Sequence, residues 1–458
     1  MKTKQILDLL RNYESRNVVF QESDGSWPIV WERAKDVQVW DADGKKYLDL
    51  TAAFGVAAAG HANPNVVKAG QKQMAKLLHA MGDVHPHALK AELAQKLSQM
   101  TFERWTSESK VQSPKSKIDG VQTGSELKTK NSKFKTGKVI FSNSGFEAVE
   151  SALKTAMLAT DKRGVIAFSG AYHGLGYGAL NVTQRDFFRS PFQLQLREFG
   201  HFVLFPTKIS DLATVEFQVR NFFRRERIGA ILVEPVQARG GCNVPPKEYL
   251  PLLRKLCDEH GALLILDEIY TGFGRTGKWF AGEHSNVVPD LICLGKALTG
   301  GFPLSACVGR ADLMDAAWPP SRGEAIHTST FLGHPVGCAM ALAQIAEIGK
   351  LKLPERSAEL GEFLLEQLSI LHPPSSIRVS VRGLGLMVGV ELRLPDGSPA
   401  TAETFNAIKA LLHRGYIFLP EGEHGNIISF TPPLTITQAQ LTKAVAALQK
   451  VLTTDERG

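Results

Sequence analysis

From about residue 138 the chain alternates short apolar, β-prone runs with stretches of helical periodicity. That alternation restricts it to an α/β architecture, a mostly parallel sheet wound with helices. The runs fall at 138–142, 164–168, 230–236, 262–269, 291–294 and 304–308. They are apolar on both faces, which suits strands covered on both sides. Helical stretches lie between several of them, including 147–159 and 246–260. Beyond Gly333 the character changes to a small-residue helix over 335–350, a β-rich piece over 377–392, a helix over 402–414 and an amphipathic helix over 437–452. This reads as a separate, smaller α+β domain. Near the other end, WDADGKKYLDL places an Asp-Gly turn between strand-like runs and predicts a hairpin. The expected division is an N-terminal segment (1–75) contributing to the small domain and the substrate pocket, a large domain (76–333) and a C-terminal small domain (334–458).

Charge and composition exclude several classes. The chain of 458 residues carries a net charge of +7. Eight Lys and one Arg against four acids between Glu103 and Lys138 account for +5 of it. That stretch, rich in Ser, Thr, Gly and Lys, reads as a basic loop insertion at about 103–138. The rest is nearly neutral, so no nucleic-acid partner is expected. No run approaches the roughly 18 apolar residues of a membrane span, and Asp8 and Arg11 interrupt the apolar stretch at the N-terminus. Five cysteines without a CxxC pair argue against a disulfide framework. The expected compartment is the cytoplasm, with no membrane partner and no metal.

The segment 262–310 is the richest in chemistry. Gly272, Gly274 and Gly277 satisfy GxGxxG, but Trp279, Phe280, Gly282 and Pro289 follow where a dinucleotide fold needs a helix. The GxxxxGK match ending at Lys278 is followed by Trp279, where a P-loop needs Ser or Thr. A third reading accounts for more residues. Asp267 lies near the C-terminal end of one apolar strand, and Lys296 just after the end of the next, LICLG. In a doubly wound sheet those ends border the ligand crevice. An amine and a carboxylate there are what pyridoxal 5′-phosphate requires: the lysine forms an imine with the cofactor, and the carboxylate keeps the pyridine nitrogen protonated. The small-residue turn 297–301 beside Lys296 permits close approach to the backbone.

LILDEIYTGFGRTG followed by LGKALTGGFPLSA resembles the signature of class III aminotransferases, pyridoxal-phosphate enzymes of fold type I, and the similarity spans nearly the whole chain. The resemblance implies a large domain with a mostly parallel seven-stranded sheet and catalysis by Lys296 and Asp267. It implies a phosphate-binding turn at a helix start, Ser144, Gly145 and Phe146 in FSNSGFEAVESALKTA. A helix N-terminus is a natural anion site. Tyr172 in FSGAYHG is the residue implied to stack on the cofactor ring, with His173 beside it, Ile269 on the opposite face, and Glu234 and Tyr270 as further cofactor contacts. Thr330 in HTSTFLGHP matches a threonine that reaches the phosphate in the neighbouring subunit, which implies a homodimer with shared sites. The implied reaction is a ping-pong transfer of an amino group from an amine or (omega-)amino acid to a keto acid or aldehyde. Lyase, decarboxylase and aminomutase outcomes occur on the same fold.

Four positions depart from the family pattern. Tyr270 replaces a Gln that bonds the cofactor's ring hydroxyl, and His334 replaces an Asn. In EPVQARGG, Arg239 stands where many members have a Glu; in SFTPPL, Ser429 stands where they have the Arg that pairs with it and can switch to bind a dicarboxylate. Use of 2-oxoglutarate in that switched manner is therefore not expected. Arg239 has two readings, a guanidinium for a substrate carboxylate or phosphate and a surface arginine on a Gly-rich loop. Phe54 also has two, a substrate-pocket residue and a core residue. Glu421 and His424 in LPEGEHGN stay open in the same way.

Overall fold

The computed structural model describes residues 1–22, 25–107 and 136–453. Most of the basic stretch expected at about 103–138 lies outside the described residues, although its first part, Arg104–Ser107, is helical and buries Trp105.

A seven-stranded sheet forms the centre. Its spatial order is Gly137–Ser142, Ser305–Arg310, Leu291–Leu294, Leu263–Asp267, Ile228–Val233, Gly164–Phe168 and Gly200–Val203. All pairings are parallel except those of Ser305–Arg310, which runs antiparallel to both neighbours. Side chains alternate between two cores. Val165, Ala167, Ala230, Leu232, Leu263 and Ile265 enter one, while Ile166, Phe168, Ile231, Val233, Leu264 and Leu266 enter the other. This period of two on strands buried on both faces explains why the runs read as continuously apolar. The six runs correspond to six strands; the edge strand Gly200–Val203 has no such run and escaped the reading of the residues, which the family resemblance completed.

The helix Gly145–Thr160 covers one face, burying Ala148, Val149, Ala152 and Ala156. Glu147 Oε2 accepts from the backbone N–H groups of Asn143 and Ser144 at 2.9 and 2.7 Å and so fixes the helix start. The helices Tyr249–His260, Pro335–Lys350, Thr401–His413 and Gln438–Thr453 lie within a few residues of expectation.

Two smaller sheets flank this body. One joins Arg378–Leu384, Met387–Arg393, Ile427–Phe430 and Leu419–Glu421. The other contains the expected hairpin, Gln38–Asp41 with Lys46–Asp49, extended on one side by Trp31–Lys35 and on the other by Tyr416–Ile417. Residues 416–417 run parallel to 48–49, so the two ends of the sequence share a sheet. Buried Arg275 ties the parts together by donating to the carbonyls of Leu386 and Pro432 at 2.9 and 2.6 Å. That is what the glycine-rich 272–278 segment does, and no phosphate loop is formed there. Among the described residues no helix is long and apolar enough to cross a membrane, and no cluster of His, Cys, Asp and Glu is arranged to hold a metal ion.

Candidate active site

The strands Leu263–Asp267 and Leu291–Leu294 are parallel neighbours, so residues just past their ends emerge on the same side of the sheet. Asp267 ends the first, and Lys296 opens a short turn after the second. Both line one cavity of about 330 Å³, with Gly145, Phe146, Tyr172, His173, Glu234, Arg239, Ile269 and Tyr270. Ten of the thirteen residues singled out in the sequence thus converge, although they come from five separate stretches of chain.

The floor of the cavity is polar and buried. Asp267, 4% exposed, accepts from the Ile269 N–H at 3.1 Å through Oδ1 and meets His173 Nδ1 at 2.7 Å through Oδ2. His173 Nε2 is buried with no hydrogen-bond partner among the described residues. Glu234 accepts from the backbone N–H groups of Tyr172 and Ala238 at 3.1 and 3.2 Å. Burial pushes its carboxyl up to about 7, partly opposed by His173 and reinforced by Asp267. Lys296 Nζ lies 4.6 Å from the centre of the Tyr270 ring. Burial lowers the pKa of its amine, while Asp267, Glu234 and Glu421 pull the other way. The desolvated amine is thereby biased toward its neutral, nucleophilic form.

The walls come from loops. Tyr172 packs edge-on to Phe188 at 5.5 Å. Tyr270 donates its hydroxyl hydrogen bond to Thr431 Oγ1 at 3.1 Å. Beneath it a left-handed turn runs through Ala52, Ala53, Phe54 and Gly55, with φ of 48, 48, 62 and 80°. Asp49 holds this turn: Oδ1 accepts from the Thr51 N–H at 2.8 Å and its hydroxyl at 2.6 Å, and Oδ2 pairs with His61 at 2.7 Å. A β-carbon at Gly55 would stand 2.8 Å from Tyr270 Cε1, so only glycine lets the turn approach the ring. Phe54 is 55% exposed, which removes the core reading. It lines a second cavity of about 320 Å³ with Phe20, Trp27, Phe405 and Leu419, and Arg239 borders both cavities.

Arg239 is partly buried, its side chain 30% exposed. Its Nη1 lies 3.2 Å from Oε2 of Glu421, whose side chain is 3% exposed, and its guanidinium carbon is 5.8 Å from the Tyr172 ring centre. Burial pushes the Glu421 carboxyl up to about 7 despite the nearby cations. Ser429 sits on the strand beside this pair, buried, donating to the Leu419 carbonyl at 3.2 Å. Position 239, where the resemblance implies a Glu in many members, here carries an Arg that pairs with Glu421, while Ser429 forms no ion pair. Reading the sequence left Glu421 open and passed over Arg185, whose Nη2 donates to the Glu423 carbonyl at 3.3 Å beside the same loop. No signal in the sequence marks Arg185, which lies on a partly exposed segment beside Asp186 and Arg189.

Two predicted residues lie apart from the cavity lining. Ser144 caps the helix start, and its Oγ contacts Glu147 Oε2 at 3.2 Å. Thr330 is exposed.

These residues fit pyridoxal phosphate. An amine and a carboxylate stand on adjacent strand ends, and a buried imidazole nitrogen awaits a partner. The first N–H groups of the Gly145–Thr160 helix have no acceptor within the helix. A β-carbon at Gly145 would stand 3.0 Å from Ile269 Cγ2, so the cradle is shaped around glycine.

The description "Aminotransferase class-III" matches residues 19–452. The chain belongs to the class III aminotransferase family. It is 35% identical to the acetylornithine aminotransferase of Methanosarcina mazei, covering 93% of this chain and 92% of the relative. It is 36% identical to the 5-aminovalerate aminotransferase of Pseudomonas aeruginosa, covering 92% of each. Among solved structures it resembles the ornithine aminotransferase of Toxoplasma gondii, described with partial occupancy of PLP at its active site, at a TM-score of 0.78 and 27% identity over 98% of this chain and 94% of that one. As a class III aminotransferase of fold type I, this chain is a pyridoxal-phosphate-dependent enzyme that transfers amino groups.

Proposed function

We propose that this aminotransferase takes its amino group from an ω-amino acid or amine and passes it to a keto acid or aldehyde, with Lys296 and Asp267 as its catalytic residues. The observation that supports the assignment of roles is the placement of Lys296 and Asp267 in one cavity, with His173 2.7 Å from Asp267. Pyridoxal phosphate, when bound, supplies an aldehyde that condenses with amines and a protonated ring that accepts electrons as the substrate Cα loses its proton. In this reading Lys296 Nζ holds the cofactor, yields its place to the substrate amine, and then takes up and returns the Cα proton. Asp267, anchored by His173 and the Ile269 N–H, keeps a negative charge opposite the ring nitrogen. Ser144, Gly145 and Phe146 bind the phosphate through the helix start. Tyr172 and Ile269 orient the ring from its two faces and exclude water, and Glu234 and Tyr270 complete the cofactor contacts. The relatives are named for acetylornithine and 5-aminovalerate, molecules that carry an amine and a carboxylate on one chain. A donor of that type suits a cavity with an amine-reactive end and an arginine, Arg239, at its border, with Phe54 lining the extension beyond.

The working unit in this reading is a homodimer in the cytoplasm. Thr330 reaches the partner subunit's phosphate, and exposed Leu78, Met81, Val84 and Phe331 in neighbouring segments provide apolar surface for the contact. The division at residues 75 and 333 belongs to the same reading.

Lys296→Ala is expected to abolish the visible absorbance of the lysine-bound cofactor and turnover together. Purified protein that never develops that absorbance with pyridoxal phosphate refutes the assignment of Lys296. Ammonia or CO₂ released from an amine without a keto acceptor identifies a lyase or decarboxylase instead.

A further inference from the structure

We propose that Arg185 and Arg239 together form the site's carboxylate anchor, and that Glu421 is a built-in counter-ion which a substrate carboxylate displaces. The inference rests on the transamination reading and supplies its substrate-recognising residues. Glu421 is 3% exposed, yet Oε2 makes no hydrogen bond of good geometry to any described residue; its one close cation is Arg239 at 3.2 Å. A buried carboxylate oxygen with no hydrogen bond of its own is poorly compensated. Arg239 is 30% exposed and borders both cavities, so the guanidinium is reachable from the side where substrate enters.

Arg185 approaches from the other side of the same loop. It is half-buried, lies 5.6 Å from the Phe188 ring that packs on Tyr172, and bonds only the Glu423 carbonyl at 3.3 Å; among the described residues no carboxylate lies within ion-pair distance of it. Arg239 and Glu421 are both close enough to act on its charge, and its charge in turn acts on Glu421. The Gly422 N–H donates to the Arg239 carbonyl at 3.1 Å, which holds the loop against the arginine segment. Arg239, at the border of the cavity, thus holds the buried carboxylate of Glu421, with Arg185 as a second guanidinium on the same loop and no carboxylate of its own among the described residues. An incoming carboxylate balances the set. It takes the planar donors of Arg239 and draws on Arg185, and Glu421 gives up its contact with Arg239.

The test uses the cofactor-loaded enzyme and ligands that cannot react: straight-chain monocarboxylates from acetate to hexanoate and their primary amides, titrated by calorimetry. The expected result is that at least one carboxylate binds more tightly than its amide. Arg239→Gln and Arg185→Gln should each weaken carboxylate binding by roughly ten- to a hundred-fold, with partial recovery in Arg239→Lys. Glu421→Gln should tighten carboxylate binding, because it removes the competing anion. If Arg239→Gln fails to fold around an unpaired Glu421, the double change with Glu421→Gln removes that unpaired charge and should still weaken carboxylate binding relative to wild type. Equal affinity for acid and amide, no loss in the arginine variants, or weaker binding in Glu421→Gln overturns the proposal. Cofactor loading on Lys296, followed by its visible absorbance in the same samples, reports separately on the transamination reading.

Discussion

Asp267 shows how much one buried charge is asked to do. Its carboxylate is tied on one side to a backbone N–H and on the other to His173, so neither oxygen can turn away. Asp267→Asn keeps the shape but removes the anion, and kcat is expected to fall by roughly 10²–10³-fold with little change in folding stability; parallel kinetic and denaturant measurements check this. Glu268, the next residue, plays a structural part. It accepts from Thr271 and from the N–H groups of Ala281 and Gly282 at 2.5, 2.8 and 2.7 Å, and burial raises its pKa from 4.5 to about 7. Because the folded value lies above the unfolded one, its contribution to stability is full below about pH 4.5 and is lost as pH rises through about 7. The wild-type minus Glu268→Gln stability difference should therefore shift against wild type by on the order of 3 kcal/mol between pH 4.5 and 8, read from urea midpoints. Asp267 and Lys296 were legible in the sequence because each adjoins an apolar run that could only be a buried strand. Arg185 and Glu421 were not, because their proximity is created by the fold across more than half of the sequence.

At the level of elements, the left-handed turn at 52–55 is the most constrained piece of backbone near the site. Three residues with side chains adopt positive φ there, a conformation that costs roughly 1–2 kcal/mol each, and the buried Asp49 holds them in place. Gly55→Ala would press a methyl group into the Tyr270 ring. The expected outcome is a loss of about 1–2 kcal/mol of stability and a raised KM, since Tyr270 adjoins Lys296; thermal melts and steady-state kinetics check the two effects. The sequence LTAAFGVAAAGH gave no hint of this turn, because alanines carry no preference for positive φ. The strand Gly200–Val203 was hidden for a different reason. At the sheet edge, with Gly200, His201 and Phe202 only half-buried, it needs no continuous apolar run. The helix over 335–350 was readable, its start above all, because Pro335 and the small side chains set its start and its packing face.

For the whole molecule, Arg275 joins the sheet-end loops to the smaller sheets. It is 2% exposed and donates to two carbonyls on different segments, and burial lowers its pKa to about 10. Arg275→Leu leaves both carbonyls unpaired and is expected to destabilise the protein by roughly 2–6 kcal/mol, measurable as a lowered denaturant midpoint with the large sheet's secondary structure retained. The sheet that holds the first hairpin has a further consequence, which concerns time. Its last strand, Tyr416–Ile417, lies beside residues 48–49, and Lys45 bonds the carbonyl of His413, 368 positions later. At translation rates of about 5–20 residues per second, the hairpin leaves the ribosome on the order of 20 to 70 s before the strand that completes its sheet. During that interval Lys46–Asp49 presents an unpaired edge. The early-made end of this enzyme therefore waits, open to other edges and to chaperones, until the late-made end arrives to close it.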